Sequence, residues 1–316
     1  MLECFKQSFP IAQEPIPRSV LKQKINGFIR LLRYKEYLFF VTVTTLLGAT
    51  ASYGFFGLKL AAVLLANMLA VAFSFMINDV EDAPDDALNP EKVQRNPVSA
   101  KDITRRQAMR ASWVVAALAI LMYSLCGWLP FLMGMICLAL GFLYSWRKVR
   151  FKNMPIVDML SHCMMLAGLQ YLSAYFAFTP TTFDRWFFPF LFVTCISLYG
   201  ELFNEIRDLD GDLEAGLRHT AAILGARPTY WLMMTVFVAG IVSAVYTFFI
   251  GRLIAPWVLI VMGSLALLFL VVPILQARKH RNFVKLQESF QKPFEIAAAF
   301  ALLTQFVLPW ANTVIH

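Results

Sequence analysis

The feature that most constrains the fold of this chain is a series of apolar runs, each close to the length of a membrane span. A helix of roughly 20 apolar residues crosses the ~30 Å hydrocarbon core of a bilayer. About nine such runs are present, near residues 37–56, 58–77, 109–127, 128–145, 157–178, 187–206, 229–249, 251–275 and 292–314. They lack the alternation of a membrane β-barrel. The pattern predicts an all-α membrane protein, a bundle of about nine transmembrane helices.

Composition agrees with this class. Hydrophobic residues make up 59% of the 316 residues and charged residues 15%, whereas soluble domains carry about 25% charged residues. The net charge of +8 is spread over the loops between spans, which argues against nucleic-acid binding. We predict a cytoplasmic N-terminal segment, residues 1–36, and a single transmembrane domain, residues 37–316.

The basic residues predict an orientation. The N-terminal segment and the loops after the even-numbered runs hold most of the Lys and Arg, while the opposite loops hold little more than Lys59, Arg185 and Arg252. Basic residues gather in cytoplasmic loops. We therefore expect a multi-pass protein of the cell membrane with a cytoplasmic N-terminus.

Acidic residues are concentrated at the ends of two apolar runs. Eleven of the 20 Asp and Glu residues lie in 78–86, which reads NDVEDAPDD, and 201–214, which contains NEIRDLDGD. Both windows fall on the predicted cytoplasmic face, where the spans would create a cavity. Because so many like charges repel, the simplest way to hold them together is to bind cations.

The spacing within the two windows is the same. Asn78, Asp82 and Asp86 form a first acid column, and Asn204, Asp208 and Asp212 form a second, with equal offsets between the pairs 78 and 204, 82 and 208, and 86 and 212. Residues four apart share one helix face, so each column presents oxygen ligands of the kind that Mg²⁺ prefers. The equal offset indicates a weak internal repeat.

Two residues qualify the helical columns. Pro84 and Gly211 lie just before the last Asp of each column, and both residue types disfavour helix. We expect each to end or loosen its helix, leaving Asp86 and Asp212 on loops.

Other metals and a purely structural role fit less well. Neither window matches an EF-hand loop for Ca²⁺. The four histidines (162, 219, 280 and 316) are far apart in the chain and the five cysteines are scattered, which argues against zinc. A solvated helix end remains an alternative, but a cap needs one acid rather than a repeated triple.

These motifs resemble the UbiA superfamily of intramembrane prenyltransferases, and the resemblance covers nearly the whole chain. The family's NxxxDxxxD motif corresponds to residues 78–86, and its second DxxxD motif to residues 204–212. Downstream, Gly216, Thr220 and Gly225 resemble the usual continuation. The family's YxxxK stretch corresponds to Tyr144–Lys148.

The resemblance implies a reaction. Mg²⁺ ions held by the four aspartates of the columns, with Asn78 and Asn204 as ligands or orienting groups, would grip the diphosphate of a prenyl donor. The donor would ionise to an allylic carbocation and alkylate a lipophilic or aromatic acceptor. Tyr144 would steady the cation or orient the diphosphate. Candidates to bind the diphosphate are Arg95, Lys148, Arg150 and Lys152.

The sequence also departs from the family. Many members have Arg-Pro after the first motif, where this chain has Arg95-Asn96-Pro97. The stretches 88–92 and 144–158 slightly favour branches that act on lipids, chlorophyll-type alcohols or carotenoids over the 4-hydroxybenzoate branch. The cytoplasmic basic loops fit a phosphorylated acceptor equally well.

Polar residues inside spans are costly and often functional, and Glu201, Asn67, Gln170 and Asp158 are of this kind. Glu201 lies one turn before Asn204, so it either lines the same cavity or makes a hydrogen bond within the bundle. For Asn67 and Gln170 we expect interhelical hydrogen bonds.

Three functions therefore stay open. The first is a Mg²⁺-dependent prenyltransferase, and the second is a terpene cyclase on the same scaffold. The third is a non-catalytic lipid-binding or transport protein. A transporter should place ionisable groups near the membrane midplane, whereas here they cluster at one face.

Overall fold

The computed structural model describes residues 18–178, 185–214, 216–277 and 283–315, and its regular elements there are all helical. The first half contains α1 (Arg18–Leu31), α2 (Tyr34–Ala51), α3 (Leu58–Asp86), α4 (Pro90–Arg95), α5 (Arg105–Ser124), α6 (Trp128–Ser145), a 3₁₀ turn (Phe151–Asn153) and α7 (Val157–Cys163). After a π turn (Met164–Gly168) come α8 (Leu169–Phe178), α9 (Phe187–Glu214), α10 (Thr220–Leu224), α11 (Ala226–Val245), a π turn (Tyr246–Ile250), α12 (Pro256–Ala277) and α13 (Phe283–Ile315).

Four of the described helical segments are long and apolar enough to cross a membrane. They are Leu58–Asp86, Trp128–Ser145, Phe187–Glu214 and Ala226–Ile250, with a shorter apolar helix at Pro256–Val271. The all-α prediction is confirmed for the described residues. The count of nine spans and the orientation of the N-terminus stay predictions.

The expectation for Pro84 and Gly211 is wrong. Helix α3 continues through Pro84 to Asp86, and α9 continues through Gly211 to Glu214. Pro84 removes one hydrogen bond to the preceding turn of α3 and a single Gly costs only about 1 kcal/mol relative to Ala, so neither residue is enough to end a long packed helix. The final Asp of each column is therefore carried by helix rather than by a loop.

The bundle is assembled from pairs of packed helices. Helix α3 packs against α5 and α6, α2 against α8 and α13, α9 against α11, and α12 against α13. The largest buried cluster joins residues of α2, α3, α8, α9 and α13, and a second joins α3, α5, α6 and α8. Helix α1 falls inside the predicted N-terminal segment, yet its Leu31 is fully buried beside Met76 and Val80 of α3.

A buried asparagine ties four of these helices together. The side-chain amide of Asn67 donates to Thr45 Oγ1 at 2.8 Å and to the Gln170 carbonyl at 2.9 Å. Its oxygen accepts from Tyr123 at 2.7 Å and Ser173 at 2.8 Å. All four hydrogen-bonding positions of the amide are used. The predicted interhelical role of Asn67 is confirmed.

Candidate functional site

The first acid column lies where the C-terminal ends of α3 and α6 meet. Asn78 Nδ2 donates to Asp82 Oδ2 at 3.0 Å, its neighbour one turn along the column, and to Ser145 Oγ at 3.2 Å. Because Ser145 is the last residue of α6, this contact fixes the start of the column against the segment that follows. Residues 144–162, from the end of α6 into α7, are called the connecting segment below.

Basic side chains of the connecting segment converge on Asp82. Lys152 Nζ pairs with Asp82 Oδ2, and Arg150 lies 3.5 Å from Asp82 Oδ1. Among the described residues, Asp82 Oδ1 accepts no hydrogen bond although it is buried. Arg150 also pairs with Asp85 at 3.1 Å, as does Arg147 at 3.0 Å. Cationic side chains of the connecting segment thus pair with Asp82 of the first column and with the neighbouring Asp85.

Asp86, at the end of the first column, is held by a residue outside both motifs. Asn96 Nδ2 donates to Asp86 Oδ2 at 2.9 Å and to the Asp79 carbonyl at 2.8 Å. The Asn96 side-chain oxygen accepts from the Val98 backbone N–H at 3.0 Å. The Asn that departs from the family's pattern therefore joins the loop after α4 to the acid column.

The second acid column is more exposed than the first. Asn204 and Asp208 are exposed on α9, and the neighbouring Arg207 pairs with Asp208 at 2.8 Å. Asp212 is half-buried and lies 3.2 Å from His219 Nε2.

His219 connects Asp212 to a second acid. Its Nδ1 lies 3.2 Å from Glu205 Oε2, which also accepts from the Ala221 backbone N–H at 2.8 Å. Burial of the ring opposes protonation, but the contacts with Asp212 and Glu205 raise the pKa of His219 to about 10. Both carboxylates therefore favour the charged form of the ring, which would offset part of the negative charge around it.

Asp158 completes this buried cluster. Its carboxylate accepts from the Thr220 backbone N–H at 2.6 Å and from Thr220 Oγ1 at 2.7 Å, which caps the start of α10. One ligand atom from each of Asp158, Glu205 and His219 lies within 4.8 Å of the others. Sequence reasoning missed this cluster because its members are dispersed along the chain. A sequence signal for this cluster is Thr220, which resembles part of the family's usual continuation of the second motif.

A third polar cluster lies deeper, between α6, α7 and α9. Tyr144 donates its hydroxyl to Glu201 Oε1 at 2.8 Å, and His162 Nε2 lies 3.2 Å from Glu201 Oε2. The rings of Tyr144 and His162 are 6.0 Å apart between centroids. Glu201 thus has the predicted hydrogen bond within the bundle, made to the tyrosine of the YxxxK stretch. His162 was not among the predicted site residues.

The connecting segment contacts the first acid column and residues that flank the second. At its start, Ser145 and Tyr144 meet Asn78 and Glu201, respectively. Further along, the Ile156 backbone N–H donates to Thr220 Oγ1 at 2.8 Å. The segment is therefore adjacent to both acid windows, 78–86 and 201–214.

The four predicted diphosphate-binding residues are placed differently. Arg150 and Lys152 reach Asp82, as described. Lys148 is exposed, with Nζ 5.7 Å from the centroid of the Trp146 ring. Arg95 is exposed at the end of α4, within electrostatic reach of Asp79.

The chain is similar to characterised archaeal proteins. It is 31% identical over 233 residues to a lycopene elongase/hydratase from Haloferax volcanii, covering 72% of this chain and 73% of that protein. It is 26% identical over 272 residues to a digeranylgeranylglyceryl phosphate synthase from Sulfolobus acidocaldarius, covering 80% of this chain and 93% of that protein.

The fold is also similar to that of a solved structure. A UbiA homologue from Archaeoglobus fulgidus bound to DMAPP and Mg²⁺ superposes with a TM-score of 0.66, covering 89% of this chain and 98% of that one at 18% identity. The sequence profile described as the UbiA prenyltransferase family matches residues 38–292, most of the chain. The protein therefore belongs to the UbiA prenyltransferase family and is a prenyl-transferring enzyme.

Proposed function

We propose that this enzyme transfers a polyprenyl group from a prenyl diphosphate to a lipophilic or aromatic acceptor, through ionisation to an allylic carbocation. One observation carries the proposal: the connecting segment contacts the first acid column directly, through Ser145 and Lys152, and its Ile156 contacts Thr220, eight residues after the end of the second column. Arg150 and Lys152 of the same segment supply positive charge. Two acidic surfaces and a cationic loop at one end of an apolar bundle suit a ligand with a charged head and a hydrocarbon tail.

The side chains of the two columns fit Mg²⁺. Both columns offer carboxylate and amide oxygens, the hard ligands that this ion prefers. Asp82 Oδ1 accepts no hydrogen bond from the described residues, and Asp208 is exposed. We assign the metal to six residues: Asn78, Asp82, Asp86, Asn204, Asp208 and Asp212. When bound, Mg²⁺ supplies positive charge that stabilises a departing diphosphate.

The connecting segment holds the phosphate oxygens in this proposal. Lys152 and Arg150 pair with Asp82, and both carry donors that suit phosphate. Lys148 and Arg95 occupy outer positions and assist from the loops. Tyr144 stays hydrogen-bonded to Glu201 and presents its ring toward the developing allylic cation.

The acceptor we propose is a membrane-soluble molecule. The names of the two relatives refer to lycopene, a hydrocarbon, and to a glyceryl phosphate with two geranylgeranyl chains, an amphiphile with a large hydrocarbon part. An apolar bundle delivers such an acceptor to the reacting carbon from the bilayer. We also propose that the enzyme is a multi-pass protein of the cell membrane with the acid columns on the cytoplasmic side.

The test uses purified full-length protein in lipid nanodiscs with Mg²⁺. Labelled prenyl diphosphates from dimethylallyl to geranylgeranyl are added with lycopene or with a membrane-lipid extract. Released diphosphate is measured together with the mass of the lipid products. We expect Mg²⁺-dependent release and a product whose mass increases by one prenyl unit.

Variants locate the site. Asp82→Asn and Asp208→Asn should each lower diphosphate release by a factor on the order of 10². Asp210→Asn is the matched control, since Asp210 is exposed on α9 outside the second column, and we expect its rate to stay within about twofold of the unaltered enzyme. Undiminished release in both column variants would refute the proposal. Release without an acceptor, with the label in a cyclised product, would identify a cyclase instead.

A further inference from the structure

Transfer of a prenyl group to a neutral acceptor releases a proton. The C1–O bond of the donor breaks, and its electron pair leaves with the diphosphate. An electron pair of the acceptor forms the new bond to C1. The acceptor then loses a proton from carbon or oxygen, and the pair of that C–H or O–H bond stays with the acceptor. A buried site needs a group that takes this proton.

Among the described residues of the third polar cluster, one atom is suited to the task. His162 Nδ1 is buried and has no hydrogen-bond partner within the described part of the chain, and its side chain is only 16% exposed. Because Nε2 faces the Glu201 carboxylate at 3.2 Å, Nε2 carries the proton of the neutral ring and Nδ1 carries the lone pair. A free basic nitrogen is therefore held inside the bundle.

Glu201 orients this ring. One carboxylate oxygen accepts from Tyr144 at 2.8 Å, which fixes the carboxylate, and the other faces His162. A base positioned by a buried acid is the arrangement by which enzymes prepare an imidazole for proton transfer. The imidazolium that forms would remain paired with Glu201.

The cluster also lies at a suitable depth. Glu201 precedes Asn204 by one turn on α9 and precedes Asp208 by two turns, which is roughly 5 Å and 10 Å along the helix axis. In the proposed donor complex, C1 of the prenyl group is bonded to the diphosphate and would lie on the side away from the metal-binding residues. The atoms that lose the proton are expected at about this level.

We propose that His162, oriented by Glu201, is the base that removes the proton from the alkylated acceptor. This inference rests on the proposed function. It assigns His162 a catalytic role and Glu201 a positioning role, separate from binding and ionisation of the donor.

The experiment measures ionisation and transfer separately in the same nanodisc preparation. Labelled geranylgeranyl diphosphate is supplied with lycopene and, in a second arm, with membrane-lipid extract. His162→Gln and Glu201→Gln are compared with Ser243→Ala, a control that removes a buried hydroxyl bonded to the Ala239 carbonyl of its own helix. Thermal unfolding of each variant reports whether it is folded.

We expect both variants to release diphosphate within about threefold of the unaltered enzyme while alkylated product falls by on the order of 10². Without the base, the alkylated cation would revert to acceptor and allylic cation, and water would add to that cation and lose a proton to solvent, so the label should appear as prenyl alcohol. Glu201→Gln keeps the shape of the side chain and tests the proposal if His162→Gln does not fold. The inference is overturned if diphosphate release and prenyl transfer fall equally. It is also overturned if transfer is undiminished in either variant that folds. If the unaltered enzyme releases no diphosphate with Mg²⁺, the proposed function itself is wrong.

Discussion

The side-chain amide of Asn96 donates to the carboxylate of Asp86 at 2.9 Å, so a residue outside both acid motifs fixes the end of the first acid column. Its second donor holds the Asp79 carbonyl at 2.8 Å. Asn96 is fully buried, and its side chain links the loop after α4 to the last turns of α3. Groups that orient metal ligands typically change metal affinity by 10- to 100-fold when they are removed.

Asn96→Ala should weaken the Mg²⁺ dependence of the enzyme, because Asp86 loses the donor that orients it. We expect the Mg²⁺ concentration for half-maximal diphosphate release to rise by about 10-fold. Ser99→Ala is the control. Ser99 lies in the same loop as Asn96, and its hydroxyl donates to the Ala83 carbonyl of α3 at 2.9 Å rather than to a carboxylate. Equal Mg²⁺ dependence of the two variants would show that Asn96 does not orient a ligand.

Lys152 and Lys148 should differ in their effect on donor affinity. Lys152 pairs with Asp82, whereas Lys148 is exposed beside Trp146. Lys152→Gln should weaken binding of geranylgeranyl diphosphate by about 10-fold or more, the value of one charged hydrogen bond. Lys148→Gln should change it by less than about threefold. Equilibrium binding in nanodiscs measures both, and a larger effect at Lys148 would reverse the assignment.

Asn67→Ala should destabilise the bundle without removing any proposed site residue. The substitution breaks four hydrogen bonds, and hydrogen bonds between membrane helices are worth about 0.6 kcal/mol each. We expect the free energy of unfolding to fall by about 2 kcal/mol, measured by reversible detergent unfolding. Ser112→Ala removes a buried hydroxyl that donates to the Ala108 carbonyl of its own helix, and it should lower the free energy of unfolding clearly less. If Asn67→Ala lowers the free energy of unfolding no more than Ser112→Ala does, the hydrogen bonds of Asn67 do not stabilise the packing of the helices.

Gly48→Ala should disturb the contact between α2 and α8. A Cβ atom at this position would lie 2.3 Å from the Tyr171 carbonyl oxygen, a backbone atom that cannot move without moving α8. Overpacking of this kind costs about 1–3 kcal/mol. Gly263→Ala provides the comparison, because a Cβ there meets nothing within 4 Å. Thermal unfolding should separate the two variants, and equal midpoints would refute the close approach of α2 and α8.

The helical class and the two acid motifs could be predicted because each is local in sequence. Apolar runs define helices of membrane length, and a four-residue step places Asn78 and Asp82 on one face. The structure agrees, with Asn78 donating to Asp82 one turn along the helix. The error at Pro84 and Gly211 came from applying residue preferences to the ends of long helices, where packing decides.

The partners of these residues could not be predicted in the same way. In the sequence, Asn96 is only a departure from a family pattern. His162 and His219 are too far apart in the chain to form a recognisable metal-binding spacing. Each acquires its role from a contact with another helix: Asn96 with Asp86, His162 with Glu201, and His219 with Asp212.

The sequence alone therefore determined that the chain forms apolar helices and carries two matching columns of Asn and Asp side chains, since hydrophobic length and i,i+4 spacing are properties of a single segment. Only the tertiary structure decided which cation covers Asp82, which amide orients Asp86 and which imidazole faces Glu201. Those pairings join residues 10 to 70 positions apart, and they depend on how helices pack, which no local pattern encodes.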